Sequence, residues 1–288
     1  IGNNGAIYGI PRSVDSLALF YNKDIFNASN IAVPPRTWDE VSQVSRALTQ
    51  ISPAGDITKS GIALGSAKNI THAFEIISAM ILQNGDPIVS RTHTVQMDKG
   101  SEDALLFYTS FADRTKQNFT WSNLLENSLD AFAEEKTAMA IGLAYDISRM
   151  RAKNPHINIG VAPFPQLKNA SKPATYADYA FLAVSKLSRH RDDAGKLILF
   201  ATEKANSELY IDSTGHAPAR RDILSTKAPP LEAELFWHQA LIAKSWPIPD
   251  YSATKKIFEE AIESISSRRA NISQAFNQLK EQLRLLLP

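Results

Sequence analysis

The amino-acid sequence predicts an α/β fold. Short β-branched and aromatic runs alternate with longer segments in which apolar residues recur at helical spacing. Three further stretches, residues 12–16, 175–178 and 247–250, join these elements without the behaviour of ordinary loops. Such stretches are either crossings between two lobes, where the backbone stays extended and bends at a few residues, or ordinary irregular connections.

The first two strand-like runs, residues 7–10 and 17–21, lie on either side of Pro11 and residues 12–16. A hairpin across so short a gap would need a glycine or an Asn-Gly pair, and the gap contains neither. The chain is therefore expected to stay extended here. Further on, Thr37-Trp38-Asp39-Glu40 has the spacing of a capping box and predicts a helix that runs to about Ile51.

The remaining elements are predicted from the helical spacing of apolar residues and from short apolar runs. Apolar spacing predicts helices at residues 74–84, with Asn84-Gly85 as the stop signal, and at 101–113. Apolar runs predict strands at 62–64, 138–142, 157–161 and 176–184. Later helices are predicted at 192–202, at 204–214 with Gly215 as the stop, at 231–243, and twice after residue 250. The last of these carries an apolar stripe and is expected to dock on a domain.

Composition and charge exclude several classes of protein. The formal net charge is +1, with 31 basic and 30 acidic residues interspersed, so no basic face for nucleic acid or anionic lipid is expected. The chain has no cysteine, which excludes disulfides, thiolate nucleophiles and cysteine metal sites. No apolar stretch is long enough to span a bilayer, and the first residues do not resemble a signal peptide. No metal site and no cofactor are predicted.

The sequence favours a protein that is not an enzyme. Asp130, Glu134 and Glu135 are the residues that would have to act as the paired carboxylates of a glycoside hydrolase. Their spacing on a short helix, with Lys136 beside them, also suits a solvated face. The chain contains no Gly-x-Ser-x-Gly, no glycine-rich phosphate loop and no His-Glu-x-x-His motif.

Characteristic motifs follow one another along nearly the whole chain. GIPRSVDSLALFYNKDIF and VPPRTWDEV come first, and LGSAKNITHAFEIISAMILQNG, SLDAFAEEKTAMAIGLAYDI, INIGVAPFPQ and STGHAPARRDIL follow. In this order they resemble the bacterial extracellular solute-binding proteins of the maltose-binding group (family 1), which are the receptors of ABC importers. The first pair resembles that family's first inter-lobe crossing and the helix start after it, and the last resembles its Pro-Ala-Arg element.

The resemblance implies a two-lobe fold of the periplasmic-binding-protein type (type II). The first lobe would comprise residues 1–13 and 178–246, and the second residues 14–177 and 247–288. The hinges would lie near residues 12–16, 175–178 and 247–250, which favours the crossing interpretation of the three extended stretches.

In the family, a segment of the order of a hundred residues, itself of domain size, precedes the first crossing. We therefore expect the first lobe to be incomplete in this chain. Apolar side chains of residues 178–246 would then lack cover. Those expected to be exposed are Leu197, Ile198, Phe200, Leu209, Tyr210, Leu235, Phe236 and Trp237.

The resemblance also implies an extracytoplasmic receptor, in the periplasm or on the outer face of the cell membrane, that captures a small polar ligand between two lobes and delivers it to an ABC permease. An oligosaccharide is the expected ligand, because sugar rings stack on aromatic faces and sugar hydroxyls bind carboxylate, amide and guanidinium groups. A membrane would be reached only through a lipid anchor or signal segment outside this sequence. The alternatives are a carbohydrate-active hydrolase, or a ligand sensor or adhesion protein built on the same fold.

Residues that match the family's ligand cleft are the candidate binding residues. Asp15 either contacts sugar at the first hinge or caps nearby backbone. Tyr145 either forms an aromatic floor or packs in the core, and the adjacent Asp146 either binds ligand or caps a helix. Trp121 lies in an irregular stretch where relatives carry a cleft aromatic, although a packing role suits it as well.

The other candidates flank the expected hinges. Tyr176, Asp178 and Tyr179 form a polar-aromatic cluster at the second hinge, and Arg220 either reaches the cleft or caps a helix end. Lys255 and Lys256 stand where maltose-binding relatives carry a stacking tryptophan, so maltodextrin specificity is not implied. The complete set of predicted binding residues is Arg12, Asp15, Asn69, His72, Trp121, Tyr145, Asp146, Tyr176, Asp178, Tyr179 and Arg220.

Overall fold

A computed structural model describes residues 7–168, 173–230 and 233–288 and shows a mixed α/β protein, which confirms the predicted fold class. The chain divides into two compact units. Unit 1 consists of the residues up to Ser16 together with Ala177–Ser245, and unit 2 of Leu17–Tyr176 together with Trp246–Pro288. The assignment of these units to the two lobes of a receptor stays a prediction.

The strands of the described residues are β1 Ile10–Ser16, β2 Ala18–Asn22, β3 Gln50–Ile51, β4 Ile57–Lys59, β5 Ile88–Val89, β6 Val95–Gln96, β7 Met139–Gly142, β8 Ile159–Pro163, β9 Thr175–Leu182, β10 Ala217–Pro218 and β11 Ala243–Lys244. The helices are α1 Lys23–Ala28, α2 Trp38–Leu48, α3 Ala73–Gln83, α4 Lys99–Thr109, α5 Ser128–Ala133, α6 Asp146–Lys153, α7 Arg191–Thr202, α8 Lys204–Thr214, α9 Arg221–Thr226, α10 Glu234–Ala240, α11 Tyr251–Ser266 and α12 Ile272–Leu286. A 3-10 turn, Ser110–Ala112, follows α4.

Strands β1 and β2 are separated by Leu17 alone and belong to different sheets. In the part of the chain that the structure describes, β1 lies in a four-stranded sheet of order β10-β1-β9-β11, and β2 lies in a three-stranded sheet of order β7-β2-β8. Both strands pair antiparallel with their neighbours β9, β10, β7 and β8. Residues 12–16 are therefore themselves strand, which explains why the gap contains no turn residue.

Several helix boundaries follow the local signals in the sequence. The capping box at the start of α2 forms as predicted: the hydroxyl of Thr37 accepts from the backbone N–H of Glu40, and Glu40 accepts from the N–H of Thr37. Helix α3 ends at Asn84, followed by Gly85 with a φ of +96°, and α8 ends at Gly215 with a φ of +73°. In the left-handed region a side chain would clash with its own backbone, so glycine is favoured at these two stops.

Several elements differ from the sequence prediction. Strand β1 begins only at Ile10, and α4 ends at Thr109, before the 3-10 turn. Helix α2 ends at Leu48 instead of about Ile51, because residues 50 and 51 pair with β4. Residues 62–64 are fully buried as expected but form no strand. The backbone N–H of Ala63 donates to the carbonyl oxygen of Met139 at 3.1 Å, and the carbonyl oxygen of Ile62 accepts from the hydroxyl of Thr120 at 3.1 Å, so the segment bonds to its neighbours without a regular strand pairing.

The core of unit 2 surrounds α3, in which every residue is buried. At the last residue of α3, the buried polar side chain of Gln83 is satisfied by hydrogen bonds. The amide of Gln83 accepts from the indole N–H of Trp38 at 2.9 Å and donates to the carbonyl oxygens of Pro165 and Ala174 at 2.8 and 2.9 Å. Helices α11 and α12 cover the same core, and α12 does so through its predicted stripe, in which Phe276, Leu279 and Leu283 are buried.

Unit 1 has a much smaller core. Among the described residues, its buried apolar cluster consists of Val14, Ala177, Ile211, Ala217, Ile223 and Trp237. Leu197, Phe200 and Leu209 are 65%, 59% and 68% exposed, as expected from the sequence. Phe236 and Trp237 were also expected to be exposed, and this was wrong, because α10 packs them against β1 and β10. The predicted start of that helix, residues 231–232, lies outside the described residues.

No helix in the described ranges combines the length and the apolar character needed to cross a membrane.

Because its core is small, unit 1 is expected to open more readily than unit 2. In native-state hydrogen exchange, the slowest amides of α7, α8 and α10 should exchange about tenfold or more faster than the slowest amides of α3 and β2. Equal, strong protection in both units of a dilute monomer would contradict this expectation. The matched comparison is α8 with α3, because both helices contain eleven residues.

Candidate functional site

Several of the predicted binding residues of unit 2 meet at the start of α3. The segment that leads into this helix is fixed by its own polar groups. The amide nitrogen of Asn69 donates to the carbonyl oxygens of Ser122 and Leu125 at 3.0 and 2.9 Å, and its amide oxygen accepts from the indole N–H of Trp121 at 2.9 Å. Every hydrogen-bonding group of the Asn69 amide is thus used within the protein, which gives this residue a structural role.

Next along the chain, His72 is buried between two buried carboxylates. Its Nε2 lies 2.7 Å from Oδ2 of Asp146, and its Nδ1 lies 3.9 Å from Oε2 of Glu75. Oδ2 of Asp146 also accepts from the backbone N–H of Leu143 at 2.8 Å. The pair joins the starts of two helices, because Asp146 is the first residue of α6 and His72 directly precedes α3.

The close approach of Asp146 depends on the glycine that ends β7. A Cβ on Gly142 would lie 2.9 Å from Oδ2 of Asp146 and 2.6 Å from the ring of Phe20. A side chain at this position would therefore push the carboxylate away from His72. His72 and Asp146 were predicted as ligand contacts. In the structure, they are 6% and 2% exposed and bind one another.

Two half-exposed tyrosines flank this buried polar group. The ring of Tyr145 makes an edge contact with the imidazole of His72, with 6.2 Å between ring centroids, and the tyrosine is 49% exposed. Tyr251, at the start of α11, is 50% exposed and donates its phenol O–H to Oε1 of Glu75. We refer to His72, Glu75, Tyr145, Asp146 and Tyr251 as the α3 cluster.

Glu75 and Tyr251 were not predicted from the sequence. A signal for Glu75 was present, because it is the single charged residue in the mainly apolar helix AFEIISAMILQ. A carboxylate at such a position is costly to bury unless it is paired, so it marks a polar site inside the core. The contact with Tyr251 joins residues 176 positions apart, and no local pattern indicates it.

The two other predicted aromatics of unit 2 lie in the core. Trp121 is fully buried, and its indole N–H is bonded to Asn69. The expectation of an open aromatic face at Trp121 does not agree with this placement, because the surrounding side chains leave no ring surface accessible. Tyr176 is 5% exposed and makes an edge contact with Phe74 at 6.4 Å. Of the three predicted aromatics in unit 2, Tyr145 alone presents a face to solvent.

In unit 1, the predicted acidic residues face one another across the sheet. Asp15 of β1 and Asp178 of β9 are directly opposed in the antiparallel register. Asp15 is buried and its Oδ1 accepts from the backbone N–H of Ser16 at 2.7 Å, whereas Asp178 is exposed. Like charges placed opposite each other usually destabilise a strand pair, so this pair stands out in the sheet as a candidate functional feature.

Beside this pair, Tyr179 borders a cavity of about 550 Å³ within unit 1. The walls are mostly apolar, from Val14, Pro218, Leu224 and Ala240, and Arg221 contributes a charged group. Tyr179 is 41% exposed; partial burial raises the pKa of its phenol, and the positive charge of Arg221 lowers it by a smaller amount. The phenol is therefore a neutral hydrogen-bonding group at physiological pH.

The two predicted arginines bind residues of unit 1. The guanidinium of Arg12 lies over the ring of Tyr210, 3.5 Å from its centroid. Arg220 makes two hydrogen bonds to the carboxylate of Asp222, at 2.8 and 3.0 Å, and donates to the carbonyl oxygen of Thr202 at 2.9 Å. Arg220 thus holds the start of α9 onto the end of α7, which corresponds to the helix-end alternative.

The carboxylates considered for hydrolysis lie in a surface network of ion pairs. Glu134 binds Lys136 at 2.6 Å and Lys153 at 2.7 Å, and these hydrogen bonds lower the pKa of its carboxyl to about 2. Asp130 faces Arg149 and Lys153. A glycosidase needs one carboxyl that stays protonated near neutral pH to act as the general acid. The lowered pKa of Glu134 is the opposite of what that role requires.

Within the described residues, no group of three or more histidine, aspartate or glutamate side chains is arranged to hold a metal ion.

A family model for bacterial extracellular solute-binding proteins matches residues 1–235 of the chain. The chain belongs to this family. The resemblance drawn from the sequence motifs is thereby confirmed. Family members are binding proteins, which agrees with the expectation that the chain is not an enzyme.

Relatives of this solute-binding protein include named sugar receptors. It is 25% identical over 236 residues to the multiple sugar-binding protein of Streptococcus mutans, covering 80% of this chain and 55% of that protein. It is 24% identical over 227 residues to the maltodextrin-binding protein MdxE of Bacillus subtilis, covering 75% of this chain and 51% of that protein. The chain thus spans about half the length of these curated relatives.

Solved structures confirm the two-lobe receptor fold class. A cyclo/maltodextrin-binding protein complexed with maltotetraose matches 98% of this chain and 71% of its own, with a TM-score of 0.77 and 20% identity. A solute-binding protein of Thermotoga lettingae bound with α-D-tagatose matches 97% and 72%, with a TM-score of 0.75 and 21% identity. At these identities the likeness concerns the fold.

Replacing Tyr145 and replacing Trp121 should change the free energy of unfolding by different amounts, because Tyr145 is half exposed and Trp121 is buried. Tyr145→Ala should change the free energy of unfolding by less than about 1 kcal/mol, because half of the ring is already in water. Trp121→Ala should cost about 3–5 kcal/mol, because it leaves a large cavity and removes the indole hydrogen bond to Asn69. Urea unfolding of the two variants measures both values. A large loss for Tyr145→Ala with a small loss for Trp121→Ala would contradict the placement of the two rings.

Proposed function

We propose that this solute-binding protein captures a small polar ligand of the oligosaccharide class outside the cytoplasm and delivers it to an ABC permease. The main support for the proposal is that the ring of Tyr145 is half exposed and contacts His72 in the hydrogen-bonded α3 cluster. An aromatic face beside ordered polar groups suits a sugar, whose ring has one apolar face and a rim of hydroxyls. The relatives include sugar-, maltodextrin- and galactooligosaccharide-binding proteins, which supports the same ligand class.

Unit 1 supplies a second set of groups for the same ligand class. Asp178 is exposed and can accept hydrogen bonds from two vicinal hydroxyls, and Tyr179 adds an aromatic surface with a neutral phenol. The buried Asp15 behind them is a candidate for holding this end of the sheet in place. We propose Tyr145, Asp178 and Tyr179 as the direct ligand contacts, and His72, Asp146 and Asn69 as residues that support them.

The proposal covers binding and release of an unchanged ligand. The strongest alternative from the sequence, glycoside hydrolysis, would have used Glu134 as an acid, and its two lysine partners hold it in the ionised form. A receptor requires no such group. In a receptor, the free energy of ligand binding favours the ligand-bound conformation that a permease recognises.

A thermal-shift screen followed by calorimetry tests the function. The panel should contain gluco-, galacto- and manno-oligosaccharides, with tagatose and glycerophosphocholine added because solved structures of similar fold carry these ligands. A member of the oligosaccharide group should raise the melting temperature with increasing concentration, because a ligand that binds only the folded state stabilises it by mass action. Chromatography should recover that sugar unchanged after prolonged incubation.

Saturable binding to none of the oligosaccharides would overturn the proposed ligand class. Turnover of a sugar by purified protein, abolished by Glu134→Gln, would favour a hydrolase instead.

The Tyr145 ring should account for a measurable part of the affinity. Tyr145→Ala should weaken binding of the best panel sugar by about 1–3 kcal/mol, which corresponds to about 5- to 150-fold in Kd. The control is Leu285→Ala, which removes an 84% exposed side chain from α12 and should leave Kd unchanged. Unchanged affinity in Tyr145→Ala, together with a normal melting temperature, would remove this residue from the site.

A further inference from the structure

We propose that Tyr251, at the start of α11, is a further ligand-contact residue of this receptor. The binding residues expected from the sequence do not include it, and no local pattern indicates it. The inference rests on the proposed function, because it adds a second aromatic side chain to the part of unit 2 that Tyr145 marks. The ligand class is the same: a sugar whose ring has an apolar face.

Tyr251 lies at the boundary between the core of unit 2 and solvent. Its ring contacts that of Phe74, with 5.7 Å between the ring centroids and an interplanar angle of 82°. Phe74 is fully buried, whereas Tyr251 is 50% exposed. One part of the tyrosine therefore packs on the core, and the rest of its surface is accessible to a ligand.

Both the backbone and the tip of this side chain are held in place. Tyr251 is the first residue of α11, and the preceding Asp250 caps that helix by accepting from the backbone N–H of Ala253 at 2.8 Å. At the other end, the phenol O–H is bonded to Oε1 of Glu75, in the first turn of α3. Glu75 is 4% exposed and α3 is buried throughout, so the partner of the phenol is itself firmly packed. The ring is therefore ordered although half of the residue is in water.

An ordered, half-exposed ring is suited to binding. Restricting a side chain to one conformation costs conformational entropy, and a contact that is ordered before the ligand arrives does not lose that entropy on binding. Tyrosine has two side-chain torsions and offers a large aromatic face, on which the apolar face of a sugar stacks. A residue that only tied α11 to α3 would need its hydroxyl and no exposed face. The two roles therefore depend on different parts of the side chain.

Tyr251 and Tyr145 are attached to the same end of α3. Tyr145 contacts the imidazole of His72, which directly precedes this helix, and Tyr251 is bonded to Glu75 in its first turn. Side chains three positions apart lie on the same side of a helix. Both tyrosines belong to unit 2, so these contacts lie within one compact unit. A sugar that stacks on Tyr145 therefore has Tyr251 on the same part of the surface, and both rings belong to one site.

Two substitutions of Tyr251 separate the aromatic face from the hydroxyl. Tyr251→Phe and Tyr251→Leu both remove the hydrogen bond to Glu75, and only Tyr251→Leu removes the ring. Calorimetry of the full chain with maltotriose, galactotriose and mannotriose measures Kd for each variant. For each trisaccharide that the unmodified chain binds, Tyr251→Leu should raise Kd by about 5- to 150-fold, and Tyr251→Phe by less than about threefold.

Urea unfolding of the same variants is the control for folding. Both variants lose the same hydrogen bond, so their free energies of unfolding should fall by similar amounts. Tyr251→Met, which is also apolar and not aromatic, replaces Tyr251→Leu if the latter does not fold. Equal Kd values for the aromatic and the aliphatic variant would overturn the inference and leave the proposed function standing. If the unmodified chain binds no sugar of the panel, the proposed function is overturned and this inference with it.

Discussion

One buried residue, Leu17, connects two strands that belong to different sheets. Leu17 is fully buried and is the one residue between β1, which pairs with β9 and β10, and β2, which pairs with β7 and β8. Its carbonyl oxygen accepts from the hydroxyl of Thr175 at 2.9 Å, just where the chain returns into β9. Two passages of the chain are thereby tied at the points where one compact unit ends and the other begins. The predicted binding residues Asp15, Tyr176 and Asp178 lie within three residues of these points.

The proposed binding face of unit 2 is built on a mainly apolar, fully buried helix. Helix α3 is buried on every side, which fixes its position, and its first turn carries Glu75 next to the preceding His72. Burying these charges is favourable only in combination with partners from α6 and α11, so the polar cluster ties three helices together. A rigid, fully packed helix is a suitable base for two half-exposed rings, because binding costs less when the contacts are already ordered.

The sequence was sufficient for the elements that local chemistry decides. The capping box at Thr37, the stop at Gly215 and the apolar stripe of α12 each follow from a few neighbouring residues, and the structure contains all three. Residues 62–64 were placed in a strand because a short apolar run fits either a strand or a buried irregular segment. The hydrogen bonds of Ala63 to Met139 and of Ile62 to Thr120 join this segment to distant parts of the chain, and a local pattern does not contain them.

The sequence was better at naming residues of the candidate site than at showing what each of these residues does. Family resemblance named His72, Tyr145 and Asp146 as candidate ligand contacts, with packing or capping roles as alternatives, and the structure buries His72 and Asp146 and half exposes Tyr145. Trp121 was either a cleft aromatic or a packing residue, and the structure shows the packing role, with a hydrogen bond to Asn69, 52 residues away. Burial of a side chain depends on such long-range partners, which periodicity and motif do not contain.

The most direct test of the proposal that Tyr145 in unit 2, and Asp178 and Tyr179 in unit 1, are ligand-contact residues is a titration followed by amide resonances. Spectra of the ¹⁵N-labelled chain should be recorded with each oligosaccharide of the panel. For a binding sugar, the amides of residues 143–147 and 178–180 should shift saturably, while those at the end of α12 stay in place. Saturable shifts confined to other parts of the chain, or an absence of shifts with every oligosaccharide, would contradict the account.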